Sequence, residues 1–190
     1  LRDAVKKTLE AAGAEALSLS YDASFADAIA GTAWTHVVFL CEGGDRERPA
    51  SIAADRCAAL LKLVQAMDAS VRPPRLVIAT VGAQVAGEGR PVGLAGTELW
   101  GFGRSLANER PEWRVKLLDL DPLEPRADAV LREATASDDE GEVAVRDGKR
   151  FGLRLVRRTE GAAPDGGAHP DRRGAPIPRG VAYRLEVGET

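Results

Sequence analysis

The sequence predicts an α/β fold in which a mostly parallel sheet carries helices on both faces and ends in a β-hairpin. Three observations carry this. Short apolar runs with β-branched members, His36–Cys41 (HVVFLC), Leu76–Thr80 (LVIAT) and Val115–Asp119 (VKLLD), alternate with longer stretches of helical periodicity, the order that β-α-β units require. Within those runs consecutive positions are apolar, as expected of strands covered on both faces. Gly141–Val156 (GEVAVRDGKRFGLRLV) holds two alternating segments joined by Asp147-Gly148, a pair suited to the positive φ angles of a tight hairpin turn.

Leu1, Val5, Leu9 and Ala12 fall at helical spacing and Gly13 follows as a C-cap, so residues 1–12 form the first helix. A short strand is expected at Glu15–Ser20. Ser24 is a natural N-cap for a helix over Phe25–Ala30, which precedes the strand His36–Cys41. The long helix Ser51–Ala69 carries two neighbouring faces, one with Ala54, Ala58, Leu61 and Gln65, the other with Cys57, Leu60, Val64 and Met67. It stops ahead of Pro73-Pro74 because a residue before proline disfavours helix. After the strand Leu76–Thr80 comes a loop with Gly82, Gly87, Gly89 and Pro91, then a helix around Trp100 that ends at Pro111, and the strand Val115–Asp119. Residues 1–158 thus read as one domain. The stretch 159–180 is rich in Gly and Pro and has almost no large apolar side chain to offset the entropy of ordering it, so it reads as a linker. Val181–Val187 (VAYRLEV) alternates again and suits either a return strand or the first strand of a following domain.

A chain of 190 residues suffices for a domain that buries about 70% of its unfolded surface without disulfide or metal. Its 26 Lys plus Arg and 29 Asp plus Glu give a net charge of -3, with both signs interspersed; no basic face results, and nucleic acid and anionic membrane are excluded as expected partners. Cys41 and Cys57 lack metal-site spacing and read as small core residues in a reducing, cytoplasmic setting. No apolar stretch approaches the roughly 20 residues of a membrane span. The chain begins within a helical pattern at Leu1 and stops directly after a strand-like run, as expected of a piece of a larger protein.

Candidate chemistry is thin. A dinucleotide fold needs glycines in a strand-to-helix turn, but Gly82–Gly93 (GAQVAGEGRPVG) keeps no G-x-G-x-x-G register and Pro91 interrupts it. Cys41-Glu42-Gly43-Gly44-Asp45 follows a strand and reads as an ordinary turn. A short-chain reductase uses Tyr and Lys four residues apart, whereas Phe25 and Val187 stand four after Tyr21 and Tyr183. His36 opens an apolar strand without a nucleophile motif, and His169 lies in the linker. Asp119 and Asp121, at a strand end, are expected to face opposite sides of the sheet, and Asp138–Glu140 (DDE) is expected to be a solvated acidic turn. Trp100 and Arg104, with Glu109 further along, could form a binding patch; the favoured reading has Trp100 anchoring its helix and Arg104 bonding a nearby carboxylate or backbone group. The expected inventory is therefore no catalytic residue, no cofactor-binding residue and no metal ligand.

The pieces Leu76–Ala83, Leu99–Pro111 and Val115–Pro122, followed by Glu142–Arg158 (EVAVRDGKRFGLRLVRR), resemble in order the structural subdomain of ketoreductases in modular polyketide synthases. The resemblance spans about residues 34–157 and implies a truncated Rossmann-like fold of the short-chain dehydrogenase/reductase type. It further implies a non-enzymatic brace for a catalytic half that lies later in the chain and holds the NADPH site and the Ser, Tyr and Lys residues. The same resemblance implies a multifunctional, homodimeric parent with carrier-bound phosphopantetheine substrates, and dehydratase and enoylreductase domains as neighbours in the polypeptide. A pseudo-ketoreductase that only positions its neighbours is the other member of that class. Val181–Thr190 (VAYRLEVGET) resembles an enoylreductase opening strand. Family members begin with a strand like LYRLDW that is missing before Leu1, so one edge of the sheet is expected to be lost. Two alternatives from other classes are a stand-alone NADPH-dependent reductase with an atypical site near Gly82–Arg90 and a carrier-protein interaction module using Trp100 and Arg104.

Overall fold

The computed structural model describes residues 1–30, 32–42, 49–70, 72–87, 93–154 and 186–189. Helices α1 (Arg2–Ala11) and α2 (Phe25–Ala30) precede strand β1 (His36–Leu40). Then α3 (Pro49–Asp68), β2 (Arg75–Val81), α4 (Thr97–Glu109), a 3₁₀ turn at Pro111–Trp113, β3 (Lys116–Leu120) and α5 (Ala127–Thr135) alternate. The chain closes with β4 (Glu142–Arg146), β5 (Lys149–Arg154) and β6 (Glu186–Glu189). One sheet holds all six strands in sequence order; β1 to β4 are parallel, and β5 and β6 are antiparallel. The expected α/β, Rossmann-like architecture is thereby observed, including the hairpin, whose turn residues Asp147 and Gly148 have φ of 50° and 73°.

Alternation along the strands sorts their side chains into two cores. Phe39, Leu76, Ile78 and Leu117 meet α2, α3 and α4 through Phe25, Leu60, Leu63, Met67, Leu99 and Leu106. On the other face Val77, Ala79, Leu118, Leu120 and Val143 meet α5 and α1 through Ala129, Val130, Ala134 and Val5. Strand order continues in one direction while α5 crosses on the opposite face from α3 and α4. The β3–α5–β4 crossover is therefore opposite in hand to the two before it, a departure from the usual uniform hand. Gly103 sets how closely α4 sits on the sheet, since a Cβ there would lie 2.3 Å from Leu117 Cδ2 and 3.1 Å from Ile78 Cδ1.

The structure departs from the sequence reading in two places. The segment 15–20 is irregular, with Leu17 and Leu19 exposed at 56% and 38%. It is poor in β-formers, and the outer edge of β1, where it would have paired, is instead met by a side chain: Tyr21 Oη donates to the Leu40 carbonyl at 2.5 Å and the ring stacks on Phe39 with centroids 5.0 Å apart. Helix α5 was not anticipated, because its buried stripe, Ala129, Val130, Glu133 and Ala134, contains a carboxylate that breaks the apolar pattern. Of the strand expected at Val181–Val187 only Glu186 and Val187 lie within the described residues, and they belong to β6, which pairs with β5. The expected linker 159–180 lies outside the described residues.

Candidate functional site

In open α/β sheets ligands lie beyond the carboxyl ends of the strands, so the ends of β2 and β3 are the place to look. Thr80 and Asp119 face each other there in register and both are fully buried. Trp100 Nε1 on α4 donates to Thr80 Oγ1 at 3.0 Å, and Thr80 Oγ1 donates to Asp119 Oδ1 at 2.5 Å. The backbone N–H groups of Ala83 and Gln84 donate to the same carboxylate at 2.9 and 3.0 Å, and Arg146 Nη2 completes it on Oδ2. Arg146, almost entirely buried at the end of β4, also donates to the carbonyls of Asp119 (3.0 Å), Val145 (2.9 Å) and Gln84 (2.9 Å). Asp119 thus has four donors, and neither of its oxygens is left to accept a substrate proton.

Among the described residues of the β2–α4 turn, the Asp119–Arg146 pair bonds to the loop backbone itself. Gly96, the N-cap of α4 at φ 87°, has no room beside it: a Cβ there would lie 2.8 Å from Thr80 Cγ2 and 3.4 Å from Cys41 Sγ. Of the other glycine turn weighed from the sequence, only Cys41 and Glu42 lie within the described residues, and Cys41 is buried as expected of a core thiol.

Trp100 is buried, so Trp100, Arg104 and Glu109 form no joint surface patch. Arg104 stacks over the indole, 5.6 Å from its centroid, and binds Glu142 at the start of β4 through two bonds of 2.8 and 2.7 Å. That pairing raises the Arg104 pKa above its ordinary value. His36 is exposed at the opposite, amino end of the sheet, 3.0 Å from Thr35 Oγ1. Partial burial, followed by the nearby Arg75 charge, lowers its pKa.

Two readings of carboxylates need correction. Residues two apart on a strand share a face, so Asp119 and Asp121 are not kept apart by alternation. What separates them is commitment: β3 ends at Leu120, and Asp121 turns to accept the N–H groups of Leu123 (2.9 Å) and Asp147 (3.0 Å). Nor is Asp138–Glu140 simply solvated. Asp138 binds Lys116 at 3.4 Å and Arg150 at 2.7 Å, Asp139 binds Arg114 at 3.0 Å, and Glu140 pairs with Arg154. Lys116 and Glu133 are both buried and 2.9 Å apart, and Arg150 adds two bonds to Glu133 of 2.9 and 3.1 Å. Sequence reasoning passed over Thr80, Lys116, Glu133, Arg146 and Arg150; the one available signal was a charge, Lys116 or Arg146, inside an otherwise apolar strand. Among the described residues no group of three or more His, Cys, Asp or Glu could hold a metal ion, and no helix is long and apolar enough to cross a membrane.

A family model described as the Rossmann fold domain of the polyketide synthase extender module SpnB matches residues 3–155. The chain belongs to this family. Its curated relatives include two components of the phenolphthiocerol/phthiocerol polyketide synthase of Mycobacterium tuberculosis. One is 42% identical over 105 residues, 52% of this chain and 7% of the relative. The other is 34% identical over 152 residues, 75% of this chain and again 7% of the relative. Among solved structures, the first ketoreductase of the tylosin polyketide synthase superposes with a TM-score of 0.60 at 26% identity, covering 79% of this chain and 34% of that one. This SpnB-type Rossmann domain is thus a ketoreductase-related part of the polyketide synthases, and it spans about 7% of the curated relatives it matches.

Proposed function

We propose that this domain is the non-catalytic structural subdomain of a polyketide synthase ketoreductase. In this reading it braces the catalytic half and positions neighbouring dehydratase and enoylreductase domains while that half reduces carrier-bound intermediates with NADPH. The observation that supports the reading most is at the carboxyl edge of the sheet, where buried Arg146 and Asp119 bond to each other and to the Ala83–Gln84 loop. A reductase of this fold would keep that space for the cofactor. The lack of a Tyr and Lys four residues apart, with Phe25 and Val187 in the Lys position, points the same way.

The catalytic half supplies hydride and proton transfer; this chain's contribution is mechanical. Arg104–Glu142 ties α4 to β4, and Lys116, Glu133 and Arg150 tie β3, α5 and β5 together. Such cross-links between elements make a body that can hold a neighbour in place. The test is a titration of the chain with NADPH followed by nucleotide fluorescence, repeated after adding the parent's downstream reductase segment. The expected result is no saturable binding by the chain, and binding with ketone reduction by the mixture. Saturable binding by the chain would overturn the reading in favour of an autonomous reductase; no binding in either case would favour a pseudo-ketoreductase.

A further inference from the structure

Strand β1 is one edge of the sheet, and half of its backbone faces outward. Arg75 N–H donates to the Thr35 carbonyl at 2.9 Å and Cys41 N–H to the Ala79 carbonyl at 2.8 Å. In a parallel pair each strand turns alternate residues towards its neighbour, so Thr35, Val37, Phe39 and Cys41 spend their backbone groups on β2, while His36, Val38 and Leu40 turn theirs to the free side. Among the described residues the bond made to that outward row is a side chain's, from Tyr21 Oη to the Leu40 carbonyl. Val38 and Leu40 are also only half-buried, on the face covered by α1. The preceding chain reaches the carboxyl end of this edge twice. Helix α1 starts there, with Arg2 N–H donating to Glu42 Oε1 at 2.6 Å, and segment 15–20 leads back there, where Tyr21 meets Leu40. Around that segment Leu17, Leu19 and Tyr21 alternate with Ser18 and Ser20 and are exposed at 56%, 38% and 41%. This is the pattern of a strand in a stretch that pairs with none of the six strands.

We propose that one more strand completes the sheet between β1 and segment 15–20, that it runs parallel to β1, and that the parent polypeptide supplies it from the residues immediately ahead of Leu1. This does not rest on the brace reading. Handedness places the strand. A strand outside β1, followed by α1 and then by segment 15–20, moves away from β2 with its helix on the face opposite α3. Reversing both direction and face relative to β1–α3–β2 keeps the same right hand, which nearly all such crossovers take. A strand parallel to β1 also ends at the carboxyl end, where α1 begins. Strand β1 has five residues; a partner of about that length and a connection of about 2–6 residues place the new strand within roughly ten residues of Leu1. Pairing gives the outward N–H groups of Val38 and Leu40 their acceptors, and Tyr21 Oη stands where one of the strand's N–H groups would reach the Leu40 carbonyl. Segment 15–20 then becomes the outermost strand. A second copy of the chain pairing edge to edge would cover β1 but give segment 15–20 no partner.

The experiment is amide hydrogen exchange, read by mass spectrometry, on the intact parent polypeptide and on a variant in which the residues just ahead of Leu1 are replaced by Gly-Ser repeats of equal length. In the intact parent the Val38 and Leu40 amides should exchange about 100-fold more slowly than in the variant, and segment 15–20 should gain protection with them. The amides of Ile78 and Leu118, inside β2 and β3, should stay protected in both. Fast exchange at Val38 and Leu40 in the intact parent overturns the proposal. So does equal protection in parent and variant, since something other than the upstream segment then covers the edge. Should the replacement unfold the domain, seen as lost protection at Ile78 and Leu118, cysteine scanning of the otherwise intact parent decides. V38C is combined with single cysteines at successive upstream positions, and oxidation should join it within one chain at one position or at two positions two apart, as adjacent strands allow. No cross-link, or one formed only between two copies, overturns the proposal.

Discussion

The two ends of the sheet bury charge in different ways. At the carboxyl end Asp119 and Arg146 spend most of their bonds on backbone, the N–H groups of Ala83 and Gln84 and the carbonyls of Gln84, Val145 and Asp119. At the amino end Lys116, Glu133, Asp138 and Arg150 spend theirs on one another. Both satisfy the rule that a buried charge needs a partner, yet one arrangement fixes a loop and the other pins a helix and a hairpin. At the end where α/β folds take ligands, the Ala83–Gln84 loop is here tied down by the protein's own side chains. The other end has a redundant network in which Glu133 has two cationic partners.

That contrast can be broken by mutation. Asp119→Ala strands Arg146 in the interior and frees two loop N–H groups, so it should cost about 3–5 kcal/mol of stability in urea denaturation. A cost near zero would mean that the pair carries no structure. Lys116→Met leaves Arg150 on Glu133 and should cost less, about 1–3 kcal/mol; a larger loss than that of Asp119→Ala would reverse the comparison. Gly103→Ala tests the close approach of α4 on which Trp100 depends and should cost about 1–3 kcal/mol through overpacking, read as a lower midpoint at unchanged denaturant slope.

The mildest probe is Tyr21, at the β1 edge. Burial, then the nearby Cys41, pushes its pKa up to about 12 from 10.0. Between about pH 10 and pH 12 the folded chain keeps a phenolic proton that the unfolded chain releases, so stability should fall as pH rises through that window. Ultraviolet titration should show one tyrosine ionising late, and Tyr21→Phe should abolish its share of the alkaline loss while costing about 0.5–1.5 kcal/mol at neutral pH. A normal titration of Tyr21 would contradict the burial of its phenol group.

Where the sequence was legible, a local rule sufficed. Consecutive apolar residues marked β1, β2 and β3, Asp147-Gly148 marked the hairpin, and Pro111 marked the end of α4, each through backbone preferences acting over a few residues. Helix α5 was missed because Glu133 sits in its buried stripe, tolerable only beside Lys116 and Arg150, which lie 17 residues away on either side. Segment 15–20 was misread because alternation predicts a strand without saying whether an edge will pair with it.

The sequence by itself determined the alternation of elements, the sheet's mainly parallel character, the family, and the lack of a Tyr and Lys pair at reductase spacing. Only the tertiary structure decided that Thr80, Asp119, Arg146 and Trp100 make one buried chain, since Thr80 and Asp119 are 39 residues apart and Asp119 and Arg146 27. Strand register brings those residues together, and a buried charge shows its partner only when the strands that carry both are paired.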